Sequence, residues 1–217
     1  VNSLSNSAMR TCDRINEVGG HEIFVQGDVG KEADCEKIVK CAVEVFGRID
    51  VLVNAAGVVT GGNVESASVE DWQIAMDTNA KSVFLMCRLA MPYLRSTKGA
   101  IVNVASTVAI KGVKNRAIYS ATKGAVLALS RSIAAEYVAD GIRVNCVCPG
   151  TVYSPSFQRR VDAAEDPELA MKQFVERQPM GRLGTAEEVA KAIVFAAGEG
   201  VEFMTGANIV VDGGMTV

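Results

Sequence analysis

The chain has 217 residues, 49% of them hydrophobic and 22% charged, which suits one domain with a substantial buried core. Its formal net charge of −3 gives no electrostatic reason to expect a nucleic acid or an acidic membrane surface as partner. No apolar run approaches the roughly 20 residues of a membrane span and no secretory signal is visible, so the expected location is cytoplasmic.

In chain order, Val1 to Ser7 lead into a helix-like segment that runs to Val18 and stops at Gly19-Gly20. Glu22 to Gln26 is predicted as a short strand, followed by Gly27-Asp28, with Asp28 placed to cap a helix from Lys31. Ala33 to Phe46 has helical spacing, and Val51-Leu52-Val53-Asn54 is the continuous apolar run of a strand covered on both faces. Ala55, Ala56 and Gly57 then remove side-chain bulk, and Gly61-Gly62 is loop. Ser68 to Leu94 is one long helix or two pieces, with Ser68 and Asp71 as a capping pair and Asn79 in mid-helix. Gly99 to Val104 is β-type and ends in Ala105-Ser106; Ala117 to Ile133 is helical; Ile142 to Cys148 is the next strand. Residues 155–184 are the least regular region, with a helix from Pro167 to Arg177. Thr185 caps a last helix, Glu188 to Ala197, ahead of strand Asn208 to Val211. This alternation implies a doubly wound parallel sheet. The six cysteines form no C-x-x-C, so buried reduced thiols are expected in preference to metal ligands or disulfides, with Cys146 and Cys148 on one face. His21 is the single histidine, which argues against His-based triads and multi-His metal sites, and no metal is expected.

Tyr119 and Lys123 stand four apart on the helical segment, hence on one face about one 5.4 Å turn apart. A phenol with a reference pKa of about 10 is a poor base at neutral pH, and a nearby cation is expected to lower that value. Ser106, at the carboxyl end of a strand, lies where open α/β sheets bind ligands. A hydroxyl there can hold a substrate oxygen while Tyr119 exchanges a proton with it, which suits interconversion of an alcohol and a carbonyl.

This constellation resembles the short-chain dehydrogenase/reductases. That family's catalytic Ser, Tyr-x-x-x-Lys and helix Asn match Ser106, Tyr119, Lys123 and Asn79, its strand-end motif appears as Asn54-Ala55-Ala56-Gly57, and its Pro-Gly turn as Pro149-Gly150. The resemblance implies a three-layer Rossmann-like fold over residues 1–217, an NAD or NADP cofactor, and a homotetramer packed through the apolar faces of residues 80–94 and 125–138. It assigns Asp28 and Val29 to the adenine edge. Asn54 to Gly57 fall to the adenosine ribose, and Tyr119 and Lys123 to the nicotinamide ribose. Pro149, Gly150, Val152 and Ser154 fall to the nicotinamide. The family's first strand and glycine-rich phosphate turn find no counterpart, so the sequence is read as N-terminally incomplete. Asn2, Ser3 and Leu4 fall where cofactor choice is made; being uncharged they admit either nucleotide, with NAD favoured.

Stretches such as Lys111 to Arg116, Pro155 to Arg160 and Phe174 to Arg182 are similar to members acting on 3-hydroxybutyrate and on 2-keto-3-deoxy-fuconate. Arg116, Arg160 and Arg177 are the residues expected to hold a substrate carboxylate, since a guanidinium grips one through two parallel hydrogen bonds. Arg143 is expected to be structural. Two alternatives stay open: a 3-oxoacyl-thioester or sugar reductase on the same scaffold, and a non-catalytic Rossmann-like binding protein.

Overall fold

The computed structural model describes residues 4–217, with side chains from residue 8 onward. The elements, in chain order, are α1 (Leu4–Glu17), α2 (Glu32–Phe46), β1 (Val51–Asn54), α3 (Val69–Met76), a π-helical turn (Asp77–Lys81), α4 (Ser82–Thr97), β2 (Ala100–Val104), α5 (Ala117–Tyr137), β3 (Arg143–Pro149), α6 (Pro155–Asp162), α7 (Pro167–Glu176), α8 (Ala186–Ala197) and β4 (Asn208–Val211), with short 3-10 turns at Thr107–Ala109 and Val138–Asp140. The strands form one parallel sheet in the order β1-β2-β3-β4.

Three layers follow from the period-2 alternation of the central strands. Ile101 of β2 and Val144, Cys146 and Cys148 of β3 face α4 and α5, where they join Val83, Leu94, Val126 and Ile133 in one buried cluster. Val102 and Val147, the intervening residues, face the other way and pack with Ala196, Val189 and Ile193 of α8. The two cysteines of β3 thus share a face, and every cysteine is reduced. α8 starts where its sequence says it should: Thr185 Oγ1 accepts from Glu188 N at 3.2 Å while Glu188 Oε2 accepts from Thr185 N at 2.8 Å, a closed capping box. Arg143 is structural as expected, donating to the carbonyls of Ala196, Ala197 and Gly198 at the other end of that helix.

Four expectations need correction. Among the described residues Glu22 to Gln26 pairs with no strand; a strand is a ladder, and a short β-type apolar run alone cannot supply the neighbour. β1 is not covered on both faces: α8 lies over β2, β3 and β4, and Val51 and Val53 remain 42% exposed at the edge of the sheet. Residues 155–184 are more regular than expected, since Pro155 at the first turn after the Ser154 cap starts α6, a helix the sequence reading did not anticipate. Asp28 does not cap α2 through its side chain, which accepts from Gly30 N at 3.0 Å instead. No helix among the described residues is long and apolar enough to cross a membrane.

Candidate active site

The carboxyl ends of the four parallel strands open onto one side of the sheet, and the chemically interesting residues collect there. Ser106 follows β2, Tyr119 and Lys123 stand on the first turns of α5, Asn79 lies in the π-helical turn, and Asn54 to Gly57 leave β1. The π turn has a visible use. It aims the wholly buried Asn79 side chain across the helix, where Oδ1 accepts from Val58 N at 2.7 Å and Nδ2 donates to Val58 O at 2.9 Å and Thr122 Oγ1 at 3.0 Å. Asn79 therefore clamps the segment that follows β1 to the helix that carries Tyr119. Thr122, which also donates to Tyr119 O at 2.9 Å, was missed in sequence because nothing in its spacing distinguishes it.

A second buried chain of amides ties the same elements together. Asn54 Nδ2 donates to Asn103 Oδ1 at 2.8 Å, and Asn103 Nδ2 donates to Ser130 Oγ on α5 at 2.8 Å. Asn54 and Asn103 are register partners, so the relay runs straight across β1 and β2 into the helix.

Lys123 is buried and donates from Nζ to Val104 O at 2.8 Å. Loss of hydration lowers its pKa to about 8. Its ammonium lies 5.9 Å from the centroid of the Tyr119 ring. The expected lowering of the Tyr119 pKa by Lys123 is not what the structure shows. Burial raises the phenol, outweighing the lowering by its hydrogen bond with Ser106 and by Arg160 and Arg116. Desolvation acts on the whole phenolate charge, whereas Lys123 sits over the ring with its hydrogen bond given to Val104.

Arg116, Arg160 and Arg177 all line one cavity of about 90 Å³ together with Ser106, Tyr119 and Phe174, and no Asp or Glu lines it. Burial first, and mutual repulsion second for Arg160 and Arg177, lower the guanidinium pKa values. Arg160 lies 5.7 Å from the Phe157 ring centroid and 6.0 Å from that of Phe174, while Arg177 lies 4.6 Å from Phe174. The buried Nε of Arg160 has no hydrogen-bond partner. The two phenylalanines were not foreseen, yet the signal is in the sequence: Phe157 precedes Arg160, and Phe174 precedes Arg177, by three residues, one helical neighbour spacing.

Of the remaining nucleotide-site candidates, Pro149 ends β3, Gly150 and Val152 follow it and line the cavity, and Ser154 caps α6 by accepting from Phe157 N at 3.1 Å. Gly150 cannot carry a side chain, since a Cβ there would stand 2.9 Å from the Asp212 backbone. Ala55, Ala56 and Gly57 are exposed, and a Cβ on Gly57 would stand 3.2 Å from Asn79 Oδ1 and 3.5 Å from Lys123 Nζ. Asp28 and Val29 form a turn before α2, with Val29 O accepting from Cys35 Sγ. Asn2, Ser3 and the side chain of Leu4 lie outside the described residues. No group of three or more His, Cys, Asp or Glu able to hold a metal occurs among the described residues.

Residues 1–216 match the family model described as enoyl-(acyl carrier protein) reductase. An uncharacterized oxidoreductase of Thermotoga maritima is 45% identical over 218 residues, covering 100% of this chain and 86% of the relative. The dehydrogenase/reductase SDR family member 6 of Rattus norvegicus is 45% identical over 78% of this chain and 70% of its own length. For the 2-keto-3-deoxy-L-fuconate dehydrogenase of Xanthomonas campestris the figures are 40%, 81% and 60%. The solved structure of ElxO with NADP bound superposes with a TM-score of 0.87 at 31% identity, over 97% of this chain and 85% of that one. With a Tyr-x-x-x-Lys helix against a strand-end serine in a doubly wound parallel sheet, the chain belongs to the short-chain dehydrogenase/reductases, oxidoreductases that act on hydroxyl groups.

Proposed function

We propose that the chain interconverts the hydroxyl and carbonyl of a small substrate bearing a carboxylate, a hydroxy acid or acid sugar, with NAD or NADP as partner. The observation that carries this reading is the single cavity in which Ser106 and Tyr119 meet three guanidiniums and no carboxylate. Three cations half-removed from water repel one another unless an anion joins them. The unpartnered Nε of Arg160 has a donor to give.

The residues fit a nicotinamide nucleotide. The bare backbone at Gly57 leaves room beside Lys123, an ammonium that has spent one of its three donors on Val104. Tyr119 and Lys123 would hold the ribose next to the nicotinamide, with the turn from Pro149 through Gly150 and Val152 to Ser154 on the ring. Asn54 to Gly57 would hold the adenosine ribose, and Asp28 with Val29 the adenine. When bound, this group supplies or accepts the hydride. ElxO binds NADP, while the uncharged Asn2 and Ser3 admit both nucleotides and leave NAD the one we favour; titration of each decides it.

The protein's own part is orientation and proton transfer. Ser106 donates to the substrate oxygen, and Tyr119 gives that oxygen a proton during reduction and takes it back during oxidation. Lys123 keeps positive charge under the phenol as it ionises, and Asn79 fixes the helix that carries both. Arg116, on the catalytic helix side, and Arg160 with Arg177, on α6 and at the end of α7, grip the carboxylate from two sides and exclude water.

The test is a panel of hydroxy and keto acids beside neutral alcohols of matched shape, on the wild type and Arg160→Ala. A charge-assisted pair contributes on the order of 1.5–3 kcal/mol, so the variant is expected to lose roughly 10–150-fold in kcat/KM on acids and far less on neutral analogues. Equal losses on both classes would move the reading to a 3-oxoacyl-thioester or sugar reductase.

A further inference from the structure

Beside the catalytic cavity lies a second one of about 350 Å³, lined by Lys111, Gly112, Val113, Lys114, Arg177 and Met215. The two share Val113, Arg177 and Met215, so this second space adjoins the inner one and forms a mouth into which a ligand longer than the inner cavity can extend. It is a built feature. Lys111 Nζ donates to Met215 O at 2.6 Å, pinning the loop before α5 to the end of the chain, and Thr107 Oγ1 reaches Met215 Sδ at 3.5 Å from below. Asn115 turns that loop back toward the helix at a φ of 57°. Three cations face the mouth and no acidic side chain lines it. Among the described residues none of the three forms an ion pair.

We infer that the mouth is a second anion subsite, so that the preferred substrate carries two anionic groups: one beside the reacting carbon, held by Arg116 and Arg160, and a distal one held by Lys111 and Lys114, with Arg177 between them. The inference rests on the anionic-substrate reading above and narrows it to dianions, such as hydroxy dicarboxylates, too long for the inner cavity of about 90 Å³. The two subsites differ in character. The inner arginines are half-buried, so their hold is strong and geometric. The lysines are exposed point charges that add attraction and read length loosely.

Calorimetric titration of the full chain, with nicotinamide nucleotide at saturation, compares butyramide, butyrate, succinate, glutarate and adipate. At least one dicarboxylate is expected to bind roughly 3–10-fold tighter than butyrate at low salt. That advantage should fade toward 1 M salt, where the screening length falls from about 10 Å to about 3 Å, while the preference of butyrate over butyramide largely persists. Lys114→Gln, on the exposed loop, should remove most of the dicarboxylate advantage and leave butyrate binding unchanged. No advantage for any dicarboxylate, or one that survives both Lys114→Gln and Lys111→Gln, overturns the second subsite. Butyrate binding no tighter than butyramide overturns the carboxylate reading itself, so the two failures are distinguishable.

Discussion

Lys123 and Tyr119 carry opposite burdens of the same burial. The phenol's pKa is raised, and the ammonium's falls from its ordinary 10.5 to about 8. Tyr119 is thus held protonated at neutral pH, the form that donates in carbonyl reduction. Reduction is expected to be flat with pH near neutrality, whereas alcohol oxidation, which needs the phenolate, should climb through pH 8 and beyond; initial rates in both directions check this. Tyr119→Phe removes the proton carrier and should lower turnover by at least ~100-fold with the circular dichroism spectrum unchanged. Lys123 makes a separate prediction about stability. Keeping its ammonium out of water costs roughly 3 kcal/mol below pH 8, against which stands the bond to Val104 O. Lys123→Met should be inactive yet more stable by about 1–2 kcal/mol, several degrees in Tm for a chain of this size. The unfolded chain binds this proton up to pH ~10.5 and the folded chain only to about 8. Wild-type stability from this group therefore rises between those values, and the variant's advantage should shrink as pH increases across the same window.

At the scale of elements, helices and strands were legible wherever the physics was local. Ser68 accepts from Asp71 N at 3.0 Å to start α3, and the capping box of α8 is written in Thr185 and Glu188. What depended on partners was not. Residues 22–26 have strand-like composition but no ladder among the described residues, and the coverage of β1 is set by where α8 lies. The landmarks of the site could be read in order along the chain, but their electrostatics could not, since burial of Tyr119 is a property of everything around it. The Asn54–Asn103–Ser130 relay is invisible for the same reason: three ordinary polar residues, 49 and 27 positions apart, acquire meaning only when β1, β2 and α5 are assembled. The relay is expected to hold α5 against the strand ends. Asn103→Ala leaves Asn54 and Ser130 facing each other across a cavity, which should cost about 2–4 kcal/mol by urea denaturation. A loss under 1 kcal/mol would mean that water replaces the amide and the relay is dispensable.

For the whole molecule, the open question is what meets the apolar surface that the sheet leaves uncovered. The faces of residues 80–94 and 125–138 expected to pack between copies are largely spent inside: Val83, Met91, Leu94, Val126 and Ile133 are core. Apolar side chains stay exposed elsewhere, including Phe24, Val45, Phe46, Val51 and Val53 around α2 and β1, and two further groups centre on helices. One holds Val69, Trp72 and Ile74 of α3 with Phe84 of α4; the other holds Val194 and Phe195 of α8 with Phe203 and, from β4, Val210. Patches of this kind mark association surfaces. Two distinct self-complementary patches, each closing a two-fold axis, generate a tetramer, and we propose that the protein is a homotetramer assembled this way. Sedimentation at micromolar concentration should then give one species of four copies. Trp72→Glu or Phe195→Glu alone should each halve it to a dimer through the patch left intact, and the two together should give monomers. A wild-type monomer would sink the proposal. A wild-type dimer dissolved by one of these substitutions and indifferent to the other would show that a single patch is used, and which.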